Sequence, residues 1–242
     1  MDETILQLEN IEKVYGTSVK TKVLHGVSLA FEKHSFNAII GQSGSGKSTL
    51  MNIMGTLDLP TSGRVSIEGE LTDTMDNKAL AALRNKTIGF IFQYHYLLPE
   101  FTAKENVLMP YRVRRNKVPK EIDDYAEELM EIVGISHVAH NPASQMSGGQ
   151  QQRTAIARAL LNRPSVVLAD EPTGSLDSKT TDVVYDLLRK INKTYGTTFI
   201  VITHDRRVAE KTDRIIQLED GRVRMDVNTK EGGMKHEGTD SE

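Results

Sequence analysis

The chain has 242 residues, of which 38% are hydrophobic and 26% charged, with a formal net charge of −3 and no cysteine. That length allows a substantial core, while the composition excludes disulfides and thiolate metal sites and gives no general attraction to nucleic acid. No run approaches the roughly 20 apolar residues that cross a bilayer, so any membrane role is expected to run through a partner.

The opening Met1-Asp-Glu-Thr-Ile5 lacks the basic region and apolar run of a secretory signal. The Asn-x-Ser/Thr matches at Asn85 and Asn192 are therefore read as fortuitous. Ile5–Ile11 and Val23–Phe31 have extended character, with a polar loop over 16–22 between them. Phe36–Ile40 predicts a short buried strand, and Lys47–Leu57 a helix with Leu50, Ile53, Met54 and Leu57 on one face. Thr61-Ser-Gly63 is a turn and Val65–Glu68 a strand. Residues 78–162 are mostly helical in pattern, interrupted by the strand Ile88–Phe92. An apolar run, Val166–Ala169, ends in Asp170-Glu171. Ser178–Tyr195 repeats apolar residues at helical spacing, and Thr198–Ile202 is a β-branched strand. Strands alternating with helices predict an α/β core on a mainly parallel sheet. The expected organisation is one module over 1–227 and a polar tail over 228–242.

Gly41-Gln-Ser-Gly-Ser-Gly-Lys-Ser-Thr49 is a phosphate-binding loop. Its glycines (Gly41, Gly44, Gly46) let backbone N–H groups curl around phosphates, Ser43 and Thr49 lie within the same motif, and the following helix adds its positive end. Lys47 is placed to reach the β- and γ-phosphates and Ser48 to bind Mg2+. Asp170, at a strand end, is placed to hold the metal, and Glu171 to polarise an attacking water as general base. His137 and His140 have helical spacing for a metal, but no cysteine or clustered acid accompanies them, and a structural role is favoured.

With Met146-Ser-Gly-Gly-Gln150 between the loop and the acidic strand, the chain resembles the ATP-binding subunit of an ABC transporter from about residue 4 to 227. The motifs follow the family order: Tyr15, 41–49, Gln93, 146–150, Asp170-Glu171, Leu176-Asp177 and His204. The resemblance implies a P-loop core with an antiparallel β portion and a helical subdomain near 94–162. It implies ATP hydrolysis with Mg2+, Tyr15 stacked on adenine, Gln93 on the metal and attacking water, and His204 on the γ-phosphate. Ser147, Gly148 and Gly149 would bind the γ-phosphate of ATP held by a second copy, with Asp177 coupling the two sites. A separate integral-membrane permease would be driven from the cytoplasmic face of the membrane.

The segments Phe92–Pro110 and Leu168–Asp177 are similar to the group containing lipoprotein-release (LolD), macrolide-export (MacB) and cell-division (FtsE) ATPases. Export, lipoprotein extraction or mechanical transmission is therefore expected, with a division-regulating ATPase that moves no cargo as the alternative. Tyr94, Tyr96, Phe101, Arg112, Arg114 and Arg115 stand where membrane subunits dock in this family; lipid headgroups or plain solvent are the other readings of the arginines. Two positions depart from the family pattern: Met146 stands where Leu is usual, a volume-conserving change, and Lys33-His-Ser35 replaces a glycine-containing turn.

Overall fold

Two sheets divide the strands unequally. The computed structural model describes residues 4–115, 117–174 and 178–229. The elements are β1 (Thr4–Tyr15), β2 (Thr21–Glu32), β3 (Phe36–Ile40), α1 (Lys47–Met54), β4 (Ser62–Ile67), β5 (Glu70–Leu71), α2 (Asn77–Thr87) and β6 (Ile88–Ile91). There follow α3 (Ala103–Arg112), α4 (Lys120–Ile132), α5 (Gly148–Leu160), β7 (Val166–Asp170), α6 (Ser178–Tyr195), β8 (Thr198–Ile202), α7 (Arg206–Ala209), β9 (Arg214–Glu219) and β10 (Arg222–Asn228). The first sheet is antiparallel, in the order β2-β1-β4-β5. The second runs β10-β9-β3-β8-β7-β6 and is parallel except for the β9–β10 hairpin.

The parallel strands are apolar on both faces because both faces are covered. Along β7 and β8, Val167, Ala169, Phe199 and Val201 enter a core shared with α3–α6. Their neighbours Val166, Leu168, Ile200 and Ile202 enter a second core formed with α1 and the antiparallel sheet. The period of two thus splits one strand between two cores. All five residues of β3 are buried, and its C-terminal end delivers the chain directly to the phosphate loop.

Several sequence expectations shift at their edges. The helix beginning at Lys47 stops at Met54, short of Leu57, because Gly55 caps it and Thr56 turns the backbone left-handed (φ 53°). The Lys33-His-Ser35 turn needs no glycine: His34 itself takes a left-handed conformation (φ 65°), and Asn192 donates to its carbonyl at 2.9 Å. The β9–β10 hairpin and α7 lay outside the sequence reading. β10 extends through Asn228, and Thr229 N–H donates to Asp213 O at 3.0 Å, so ordered pairing passes residue 227. Residues 230–242 of the expected tail lie outside the described residues. No helix among the described residues is long and apolar enough to cross a membrane.

Candidate functional site

The loop between β3 and α1 takes its shape from glycine. Gly46 caps α1 with φ 100°, and a Cβ there would come within 2.9 Å of Leu24. No acid occupies the first turn of α1, so nothing negative competes for its N-terminal N–H groups. Lys47 folds back over the loop, its Nζ donating to the carbonyls of Gly41 (2.8 Å) and Gln42 (2.7 Å). The Ser48 hydroxyl points across to Asp170 Oδ2 at 3.4 Å.

These groups line a cavity of about 460 Å³, together with Val23, Ser43, Gly44, Thr49, Gln93, Glu171 and His204. Side chains from β2, the ends of β6, β7 and β8, the loop after β3 and α1 thus converge on one space. Of the lining, only Val23 on β2 escaped the sequence reading, because an apolar strand residue carries no chemical signature. Gln93 sits at the end of the β6 segment, and an added Cβ on Gly174 would lie 2.8 Å from its amide nitrogen.

Glu171 has φ 43°, a left-handed conformation unusual for a carboxylate residue. Its N–H donates to Ile202 O (2.9 Å) and its carbonyl accepts from Gly174 N–H (3.0 Å). The turn brings Oε1 to 2.7 Å from His204 Nδ1. Burial raises the Asp170 carboxyl above its ordinary pKa, and the charge of Glu171 beside it adds to the effect. Burial also lowers Lys47, while Glu171 and Asp170 act in the opposite direction. A hydroxyl and a carboxylate facing each other at 3.4 Å, in a site rich in negative charge, fit a hard divalent cation held by oxygen.

Ser147, Gly148 and Gly149 do not line this cavity. They form the N-terminus of α5, where a capping box joins Ser147 N–H to Gln150 Oε1 (2.9 Å) and Gln150 N–H to Ser147 Oγ (3.4 Å). The box satisfies the N–H groups of Ser147 and Gln150, while those of the two glycines, in the first turn, have no acceptor within the helix. A Cβ on Gly148 would meet nothing within 4 Å among the described residues. Neither packing among the described residues nor a positive φ explains this glycine.

Tyr15 does not line the cavity either. It is 41% exposed, its hydroxyl donates to Asp58 Oδ2 at 2.7 Å, and Lys13 Nζ lies 4.8 Å from its ring centroid. Asp177 lies outside the described residues. His137 belongs to a short 3-10 turn, Ser136–Val138, and no cluster of potential metal-binding side chains occurs among the described residues. Met146 is buried, with Thr154 Oγ1 3.9 Å from its sulfur. Tyr94 and Tyr96 are 74% and 64% exposed. Arg112 faces Glu105 at 3.9 Å, Arg114 donates to Asn85 Oδ1 at 3.4 Å, and Arg115 lies over the Tyr111 ring.

Residues 24–174 match the family model for the ABC transporter. The chain belongs to the ABC transporter family. It is an ATP-binding, ATP-hydrolysing subunit of that family. It is 51% identical over 221 residues to the lipoprotein-releasing system ATP-binding protein LolD 1 of Rhodopseudomonas palustris, covering 90% of this chain and 98% of that protein. Identity to LolD of Anaeromyxobacter dehalogenans is 49% over 222 residues, 91% of this chain and 93% of that one. Among solved structures, the ABC fold of this cassette is similar to the dimeric post-hydrolysis state of the cassette MJ0796 bound to ADP and Pi. That match has TM-score 0.86 and 41% identity, over 93% of this chain and 99% of that chain. It is also similar to cbiO1 from Clostridium perfringens, part of the transporter complex cbiONQ, with TM-score 0.84 and 30% identity over 96% and 90% of the two chains.

Proposed function

We propose that this ABC ATPase closes head to tail with a second copy around two Mg-ATP molecules and thereby drives a membrane subunit that extracts lipoproteins. Gly148 is the observation that carries the shared site: a Cβ there would meet nothing among the described residues, and the open space beside this helix start suits a phosphate brought by the other copy. The dimeric MJ0796 cassette and the LolD relatives support the two halves of the proposal, closure and cargo class. The LolD identities favour release over a role in division.

Within one site, the Gly41–Thr49 loop would cradle the phosphates, with Lys47 exchanging its loop carbonyls for phosphate oxygens. Ser48, Asp170 and Gln93 would hold Mg2+, which when bound supplies Lewis-acid polarisation of the phosphate oxygens. Glu171 would take a proton from the attacking water, steadied by His204 until that histidine turns to the γ-phosphate. Tyr15 would stack on adenine with the ring face opposite Lys13, and Asp177 would couple the two sites. Residues 1–227 would act as one cassette with its helical subdomain at about 94–162, on the cytoplasmic face of the membrane. The membrane subunit would dock at the apolar groove of about 690 Å³ lined by Leu57, Phe90, Phe92, Tyr96, Pro110 and Val113.

The test is to co-purify the chain with its membrane subunit, reconstitute the complex in proteoliposomes carrying an acylated lipoprotein, and follow ATP-dependent release. Release that stops with Glu171→Gln supports the reading. Robust ATPase activity without any release removes the cargo assignment and leaves the ATPase.

A further inference from the structure

The segment after Gln93 is built in an unfavourable conformation. His95 and Tyr96 are consecutive and both left-handed, with φ 61° and 47°, an arrangement that side chains larger than glycine adopt at a cost. One side chain holds it: Arg158 on α5 donates from Nη1 to Tyr96 O at 2.6 Å and from Nη2 to His95 O at 2.5 Å. The planar guanidinium reaches both carbonyls as a fork, which a lysine cannot reproduce.

A second residue of α5 reaches the same segment. The His95 ring is buried, and its Nδ1 has no hydrogen-bond partner among the described residues. The Gln152 side chain, also on α5, lies against that ring, where its hydrogen-bonding influence opposes the lowering of the ring's pKa by burial. Helix α5 therefore meets the segment at two places: Arg158 clamps its backbone, and Gln152 lies against the His95 ring.

We propose that Arg158 is a positioning residue that ties the strained His95–Tyr96 turn, and through it Gln93, to the helix that begins at the Ser147–Gly149 turn. This inference rests on the shared-site reading above. A phosphate engaged at the start of α5 would shift that helix, and the fork would carry the shift to Gln93 in the chain's own cavity. Arg158 also borders the apolar groove proposed for the membrane subunit, so one guanidinium stands between three functional surfaces.

The experiment compares wild type, Arg158→Lys, Arg158→Met and the control Ser147→Arg in the full chain. It measures kcat and the Hill coefficient for ATP, the Kd of a fluorescent ATP analogue, and hydrogen exchange over 93–98. Arg158→Met is expected to lower kcat by about 10- to 100-fold, bring the Hill coefficient towards one and speed exchange over 93–98, with Kd within about twofold. Arg158→Lys should fall between, and it decides the question alone if Arg158→Met does not fold. A merely structural arginine would lower thermal stability but leave kcat per binding site and exchange over 93–98 unchanged, and that result overturns the proposal. If Ser147→Arg is inactive while the Arg158 variants turn over like wild type, only the role of Arg158 falls. If Ser147→Arg turns over normally, the shared site itself falls, and this proposal falls with it.

Discussion

Glu171 reaches His204 because its backbone is left-handed, and Asp170 beside it points instead towards Ser48. Two adjacent carboxylates are thereby turned to different partners by one dihedral angle. Glu171→Gln keeps the shape and removes the proposed base; single-turnover assays should show hydrolysis slowed by about 100-fold or more while ATP remains bound. Normal hydrolysis would take the base role away from Glu171. For Asp170 the expected trade is different. Its folded-state pKa is raised by burial and then by Glu171, so its ionisation opposes folding as pH climbs through that value. Asp170→Asn should raise the melting temperature of the nucleotide-free chain near neutral pH, with the gain shrinking towards acid, and should abolish turnover. Calorimetry across pH checks the sign. Most of these residues were legible in the sequence, because phosphate chemistry demands particular side chains at short spacing. Arg158 and Tyr185 were not. Burial holds the Tyr185 hydroxyl far above its ordinary pKa, and electrostatic interactions link it to Thr173 and Thr203 beneath the site, but helical spacing alone makes such residues look like ordinary core.

At the scale of elements, α5 and the β9–β10 hairpin show what local pattern does and does not reveal. The Ser147–Gln150 capping box marks a helix start by itself, so the motif has a structural job before any ligand arrives. Ser147→Arg removes one cap and fills the open space beside Gly148. Its expected outcome is a folded chain that binds ATP at its loop by equilibrium dialysis and turns nothing over. The hairpin was legible in principle: Asp220-Gly221 is a strong two-residue turn signal, and both residues have positive φ, 47° and 68°. It went unassigned because Arg222–Asn228 is a short edge strand with a charged residue at every second position up to Asp226, although the segment up to 227 lies inside the expected module. A Cβ on Gly221 would stand 2.1 Å from Val23 O. Gly221→Ala should therefore cost about 1–3 kcal/mol, measured by urea denaturation. Since Val23 also lines the cavity, nucleotide affinity should fall as well.

For the whole molecule, the separation of the Ser147–Gly149 turn from the phosphate cavity predicts assembly coupled to ligand. By light scattering, the isolated cassette should be monomeric without nucleotide, and Glu171→Gln with Mg-ATP should double in mass. A stable dimer without nucleotide would contradict that coupling. The division into two cores was partly legible: apolar runs such as Val166–Ala169 announce strands buried on both faces, but which face meets which layer depends on pairings distant in sequence. Those pairings also set an order of events during synthesis. β3, which carries the phosphate loop, lies between β8 and β9, so the strand made early receives its two neighbours last. A nascent chain on the ribosome thus displays its nucleotide loop long before any sheet supports it, and until then Phe36–Ile40 is an unprotected apolar strand. Truncation just before Thr198 should accordingly yield an aggregating, nucleotide-blind product, because a loop written early is among the last to be supported.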